Sequence, residues 1–290
     1  MYSMENYRDG ERFHGQYEEI HSFLRRIADT GYHEHFHWGR FDWMMAHPNL
    51  DVEMLPRNAL FRNEEGELVG AALSDTSFHD RWYLLHSISD ETLLGQMMEY
   101  VTKTDANTAT IKANLGDTML CKLLENADFE KQYAQSVLEI ALPHHLSFQL
   151  PQGFCLNAPD SKIDHEQWRL VIHRGFDHEG TPPEPSREVA KAQKHLEISE
   201  YIKVFAMKDG EYAAHCGAWY NGGNTAYIEP VATVPKHRGK GLGRAVVYEA
   251  VNRARQRGAK RAIVLSDQEF YKRIGMTKSS EVGTWVKNGK

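Results

Sequence analysis

Between Thr233 and Ala245 the chain reads Thr-Val-Pro-Lys-His-Arg-Gly-Lys-Gly-Leu-Gly-Arg-Ala. Gly239, Gly241 and Gly243 alternate with larger residues, and Lys236, Arg238, Lys240 and Arg244 stand among them without an acid. Glycines lack a Cβ, so consecutive backbone N–H groups can close around an anion. The four cations concentrate positive charge in a chain of formal net charge -6. This chemistry favours phosphate. Spacing narrows the ligand. A Walker loop needs Ser or Thr after its lysine, and Gly241 follows Lys240. A dinucleotide fingerprint built on Gly239 and Gly241 would need a third glycine where Arg244 stands. Arg238-x-x-Gly241-x-Gly243 remains, beside the plainer reading of a strand-to-helix turn with a solvated basic rim.

The elements that must position this loop are legible on both sides. An apolar run, Ala226 to Thr233, leads in, and Leu242, Val246, Ala250 and Ala254 at i, i+4 spacing lead out on a helix that Gly258 ends. Glu229-Pro230 interrupts the strand, and proline cannot give a ladder its N–H, so pairing must break there. Farther on, strand Ala262 to Leu265 precedes Ser266-Asp-Gln-Glu-Phe-Tyr-Lys-Arg-Ile-Gly-Met276.

Loop, interrupted strand and tyrosine helix, in that order, resemble the GNAT superfamily of acyl-CoA-dependent N-acyltransferases. The resemblance implies a mixed α/β sheet and a pyrophosphate loop at Arg238, Gly239, Lys240, Gly241, Leu242, Gly243 and Arg244. It also implies a splayed strand whose Val231, Ala232 and Thr233 backbone groups meet pantetheine and polarise the thioester carbonyl. Tyr271 becomes the candidate acid for the leaving thiolate and Glu229 the candidate base for the amine. Two plainer roles stand beside these: a tyrosine packed in the core, and a carboxylate that only fixes the bulge at Pro230. Met276 replaces the family's usual Phe, and the stretch before Tyr271 is short and lacks the common Asn. Acetyl-CoA is the implied co-substrate, with no metal, and the acceptor is an amine on a small molecule or peptide. A non-catalytic acyl-CoA-binding or sensing protein is the alternative, which would need neither Tyr271 nor Glu229.

Other chemistry-bearing residues carry less. Cys216 has no partner His at fixed spacing and reads as a buried strand cysteine. His33, His35 and His37 alternate, which on a strand would put three imidazoles on one face, yet no further ligand spacing follows. His173 to Ser186, rich in Pro and Gly, reads as a loop, which the resemblance places over the acceptor; its Asp177, Glu179 and Glu184 could attract a cationic amine, or equally form a solvated, mobile surface.

The remaining chain supports two units. At 290 residues, 41% hydrophobic and 26% charged, it has the composition of a soluble globular protein of two domains or one large one. Its acidic balance argues against nucleic acid, and no apolar run approaches a membrane span. The polar start and three scattered cysteines favour the cytoplasm; a homodimer is left open. The first half reads as a helix with Tyr17, Ile20, Phe23, Leu24 and Ile27 on one face, strands joined at Glu65-Gly66, a strand from Trp82, and a helix after Asp90. A strand from Thr108, a helix over Thr118–Ala127 ending in Asn-Ala-Asp-Phe129 and a last strand over Ser136–Leu142 complete it. The second half repeats this order: Gly210 answers Gly66 at an offset of 210 − 66 = 144, and Met276 answers Phe129 at 276 − 129 = 147. This predicts two tandem GNAT-like domains: a degenerate, non-catalytic one over 1–143 and an acetyltransferase domain over 144–290. The first half has Ser87-Ile-Ser-Asp-Glu91 where the second has glycines, and Leu124 opposite Tyr271. Residues 146–290 alone are expected to be less stable yet to keep some affinity for the coenzyme.

Overall fold

Helix starts follow polar caps. The computed structural model describes residues 2–8, 12–75, 81–105 and 109–287. In the first half these form β1 (Ser3–Asn6), α1 (Gly15–Ile27), α2 (Trp38–Ala46), β2 (Ala59–Arg62), β3 (Leu68–Ser74), β4 (Arg81–His86), α3 (Glu91–Thr104), β5 (Thr110–Asn114), α4 (Thr118–Asn126) and β6 (Phe129–Ala141). The second half adds β7 (Cys155–Leu156), α5 (His165–Gly175), α6 (Arg187–Lys194), β8 (Tyr201–Lys208), β9 (Glu211–Trp219), β10 (Thr225–Thr233), α7 (Leu242–Gln256), β11 (Arg261–Leu265), α8 (Glu269–Arg273) and β12 (Thr277–Lys287). Each of α1 to α6 opens on a side chain that accepts from one of the helix's own N–H groups: His14, His37, Asp90, Asp117, Asp164 and Ser186 in turn. Helix α7 opens on Gly241 with no such cap.

All strands join one 12-stranded sheet in the order β1-β2-β3-β4-β5-β12-β6-β11-β10-β9-β8-β7. The last strand of each half crosses over: β12 pairs with β5 of the first half, and β6 pairs with β11 of the second. The exchanged strands also pair with each other, from Phe129↔Lys287 to Glu139↔Thr277. Every pairing from β5 through β12 and β6 to β11 is antiparallel, so β5 and β11 run in opposite directions. A second half cut out at residue 144 would therefore lack the strand that lies beside β11. Three cores follow from this arrangement. One backs α3 and α4 in the first half, and one backs α7 in the second. The third is common to both halves and unites Trp38, Phe41 and Met45 with Tyr201, Trp219 and Tyr227. Among the described residues no helix is long and apolar enough to cross a membrane.

The internal repeat extends to backbone conformation. Gly66 and Gly210 turn their hairpins at φ +82° and +85°, and Asp128 and Gly275, 147 apart in number, take φ +61° and +87° before their final strands. Two expectations need correction. Strand β6 begins at Phe129 rather than Ser136, because Glu130 to Tyr133 lie exposed mid-sheet and carry no apolar alternation; the ladder to β12 makes them a strand. His33, His35 and His37 do not alternate on a strand. A short 3₁₀ turn at Glu34–Phe36 buries them separately: His33 Nε2 donates to the His86 carbonyl at 2.7 Å, and His37 caps α2 through Gly39 N–H. The expected start of a strand at Thr108 lies outside the described residues; β5 runs from Thr110.

Candidate active site

Strand β10 opens away from its neighbour. It pairs with β11 only at Thr225, Ala226 and Tyr227, and then continues beside β9 alone. Its register with β9 breaks between Ile228 and Val231, across Pro230, whose preceding peptide bond is cis. Val234 N–H donates to Ala213 O, so in the antiparallel ladder Ala232 N–H faces β9 as well. The N–H groups of Val231 and Thr233 then point to the opened side.

The loop lies at the mouth of that opening. Gly239 and Gly241 have φ of +74° and +84°, and a Cβ on either would meet no atom within 4 Å. Gly243 is packed instead: its Cβ would stand 3.2 Å from the Phe270 ring. A cleft of about 810 Å³ runs along Arg238, Gly239, Gly241, Leu242, Gly243 and Arg244, and reaches Val231 and Thr233 at its floor. Gly175, Phe176 and Asp177 wall one side; Gln268, Phe270, Arg273 and Ile274 wall the other. Two of the expected coenzyme contacts stand back from it. Ala232 turns its side chain into the core against Gly175, and Lys240 Nζ donates to the Lys236 carbonyl at 3.0 Å. Arg238 is tied by its Nε to Thr233 O at 3.1 Å, and by its Nη2 to both Gly175 O at 2.8 Å and the Asp177 carboxylate at 3.0 Å.

Tyr271 is buried on α8, and its hydroxyl has no hydrogen-bond partner among the described residues. Burial, and secondarily the charges of Cys216 and Glu229, push its pKa up, so the phenol keeps its proton. Glu229 is half-buried and fully engaged: Oε1 accepts from Arg40 Nη1 at 3.1 Å and Oε2 from the Tyr227 hydroxyl at 2.8 Å. Cys216 is buried on β9 with its thiol pKa raised by burial, the state of an inert core cysteine. In the loop after α5, Asp177 is taken by Arg238 and Glu184 by Arg169 at 3.4 Å, so two of the three acids expected to attract an amine are already paired.

Comparison with known proteins gives this geometry a family. Residues 166–276 match the model of the "Acetyltransferase (GNAT) family". That match takes in β10, the loop and Tyr271. The whole chain also resembles solved structures of tandem size. A GCN5-related N-acetyltransferase from Sphaerobacter thermophilus superposes with TM-score 0.58 at 14% identity, over 99% of this chain and 95% of that one. A tandem GNAT protein from the clavulanic acid biosynthesis pathway gives TM-score 0.56 at 13% identity, over 98% of each chain. A GCN5-related N-acetyltransferase from Kribbella flavida gives 0.55 at 16%, over 77% of this chain and 89% of that one. At these identities the likeness is one of fold, and that fold is a tandem GNAT. No curated protein matches the sequence.

The first half of this tandem GNAT fold keeps the opening but fills it. Strand β4 pairs with β5 only from Arg81 to Tyr83, and beyond that the His33 imidazole bonds the His86 carbonyl. His86 Nε2 bonds Asp117 at 2.7 Å, and Asp90 caps α3 through Leu93 N–H. Sequence reasoning missed Arg273, Phe270 and Gly175 in the cleft, and Arg40 and Tyr227 on Glu229. Arg273 stood in the quoted tyrosine helix and could have been found as a cation two residues after Tyr271. Arg40 lies 189 positions from Glu229, and no local pattern signals such a pair.

Proposed function

We propose that the chain is an acetyl-CoA-dependent N-acetyltransferase that acetylates an amine of a small molecule or peptide, with residues 144–290 binding the coenzyme and residues 1–143 lacking a coenzyme site. One observation carries this reading: the N–H groups of Val231 and Thr233, without a partner among the described residues, and the start of α7, without a side-chain cap, line the same cleft. A thioester next to a pyrophosphate needs those two donor sets side by side. Gly239 and Gly241 leave room for the phosphates, and Arg238, Arg244 and Arg273 supply counter-charge. In the reaction, Val231 and Thr233 N–H groups stabilise the negative charge that gathers on the carbonyl oxygen as the amine nitrogen bonds the acetyl carbon. Glu229 takes a proton from that nitrogen, directly or through water, and Tyr271 gives one to the sulfur as the carbon–sulfur bond breaks. A raised tyrosine pKa suits a donor, since the group is protonated at neutral pH.

The engagement of both Glu229 oxygens favours the second reading, an acyl-CoA-binding protein without turnover, in which Glu229 only fixes the bulge. Thiol release from acetyl-CoA with a panel of primary amines separates the two; calorimetry on the same sample should give one coenzyme per chain. Binding with no thiol release from any amine would favour the second reading, and no binding would end both. A cytoplasmic location suits either.

A further inference from the structure

The first half touches the proposed reacting region through Arg40 of α2. Its guanidinium spans two carboxylates: Nη1 donates to Glu229 Oε1 at 3.1 Å, and Nη2 donates to Asp75 Oδ2 at 2.9 Å, just past β3. Tyr227 donates to the other Glu229 oxygen, and Tyr83 of β4 donates to Asp75 Oδ2 at 3.3 Å. The Asp75 side chain is 6% exposed, Arg40 18% and Glu229 22%. The charged and titratable surroundings come from several elements. Arg81 stands 3.9 Å from Asp75, His47 lies in the field of Asp75 and Arg40, and Tyr201, Tyr227 and Tyr271 lie in the field of Glu229.

Docking of α2 does not require this arginine. Trp38 is fully buried edge-on to Trp219 at 5.8 Å, a Cβ on Gly39 would overlap the Trp219 ring, and His37 stacks on Tyr227 at 4.9 Å. Apolar packing already holds the helix there, and a buried ion pair is seldom the cheapest way to add stability. Arg40 Nε is moreover buried with no partner among the described residues. What the guanidinium does supply is a fixed counter-charge between two carboxylates that would otherwise repel each other.

We propose that Arg40 is a positioning residue for the second half's reaction: it holds the Glu229 side chain oriented beside the opening of β10, so one site is completed by both halves. This rests on the acetyltransferase reading, in which Glu229 receives the amine's proton. Arg40→Gln removes the forked contact and should lower kcat in thiol-release assays with the best primary amine of the panel by roughly tenfold or more, with acetyl-CoA affinity unchanged. Arg40→Lys keeps a charge without the fork and should fall between, and it carries the test if Arg40→Gln does not fold. In protein carrying ¹³C-labelled glutamate, with the Glu229 carboxyl signal assigned by its loss in Glu229→Gln, that signal should change its chemical shift in Arg40→Gln at pH 7. An unmoved signal in a folded variant, or a moved signal with wild-type kcat, overturns the proposal, and so does full turnover in Glu229→Gln. If the wild type releases no thiol with any amine, the acetyltransferase reading falls, and the carboxyl signal still decides whether Arg40 holds Glu229.

Discussion

Gly241→Val isolates the phosphate loop from the fold that carries it. The perturbation has two parts. Gly241 sits at φ +84°, where an L side chain strains the backbone by about 1–3 kcal/mol. The new side chain would also occupy space that is open in the structure, since no atom lies within 4 Å of the Cβ position. If α7's first N–H groups and Arg238 bind pyrophosphate, a valine there displaces it from one or two charge-assisted hydrogen bonds. Each of these is worth about 1.5–3 kcal/mol, so acetyl-CoA affinity should drop by roughly tenfold for the weakest single bond and up to about ten-thousandfold for two strong ones, at about 1.4 kcal/mol per tenfold. The strain needs a control, and the repeat provides one. Gly66 has φ +82° and equally open surroundings, in a hairpin of the first half. Gly66→Val should lower the melting temperature about as much as Gly241→Val and leave affinity alone. Calorimetry on the two folded variants decides the matter. Gly241→Val binding within about threefold of wild type, or Gly66→Val losing as much, would refute the loop assignment.

Three further outcomes are expected. Tyr271→Phe should cut turnover by roughly 100-fold, the usual worth of a general acid, yet leave coenzyme affinity and melting temperature close to wild type, because the hydroxyl has no hydrogen-bond partner among the described residues to lose. Acid should destabilise the fold in a defined window. Burial lowers the pKa of His35 to about 4, and of His37 and His215 to about 3, from 6.5. Below pH 6.5 the unfolded chain binds protons that the folded one refuses, so stability falls as pH drops from 6.5 toward these values, by at most about 1.4 kcal/mol per pH unit for each histidine. His37→Asn, which retains an N-cap oxygen for α2, should flatten that slope in melts between pH 7 and 4.5; an unchanged slope would remove His37 from the account. Residues 146–290 expressed alone should not give a stable monomer, since β11 loses the whole of its pairing with residues 137–141 of β6. Co-expression with residues 1–145 should restore it, and a well-folded monomeric fragment would show that the exchanged strand is dispensable.

How much of this was legible depends on the distance over which each feature is determined. The loop was readable because its chemistry is local: alternate glycines, four cations and the strand and helix around them lie within the 32 consecutive residues from Thr225 to Gln256. Pro230 likewise announces its broken ladder on its own, since a missing N–H breaks pairing in any context. Asp90 and the apolar face of α1 are set by neighbours within one or two turns, and both stand where the pattern put them. The repeat of hairpin, helix and closing strand was visible as matching offsets, though hardly as identity.

The pairing of the halves was not legible. Strands β6 and β12 can each satisfy a ladder beside either β5 or β11, because backbone hydrogen bonds are the same whichever half supplies them, and only the packed whole selects the exchange. Polar residues 130–133 gave no alternation to reveal it. The histidines misled for a related reason: alternation suits a strand, but Glu34 is drawn into an ion pair with Arg261 at the start of β11, and the segment turns there. The catalytic assignment divides along the same line. Sequence alone determined that a glycine-rich basic loop follows an interrupted strand, and that one half has it and the other does not. Only the tertiary structure decided that Val231 and Thr233 face the open side, that two of the three acids in the segment after α5 are spent on arginines, and that Arg40 of the first half meets Glu229 of the second. Those facts depend on groups brought together from opposite ends of the chain, where side-chain charge and backbone direction are set by packing and not by the residues next door.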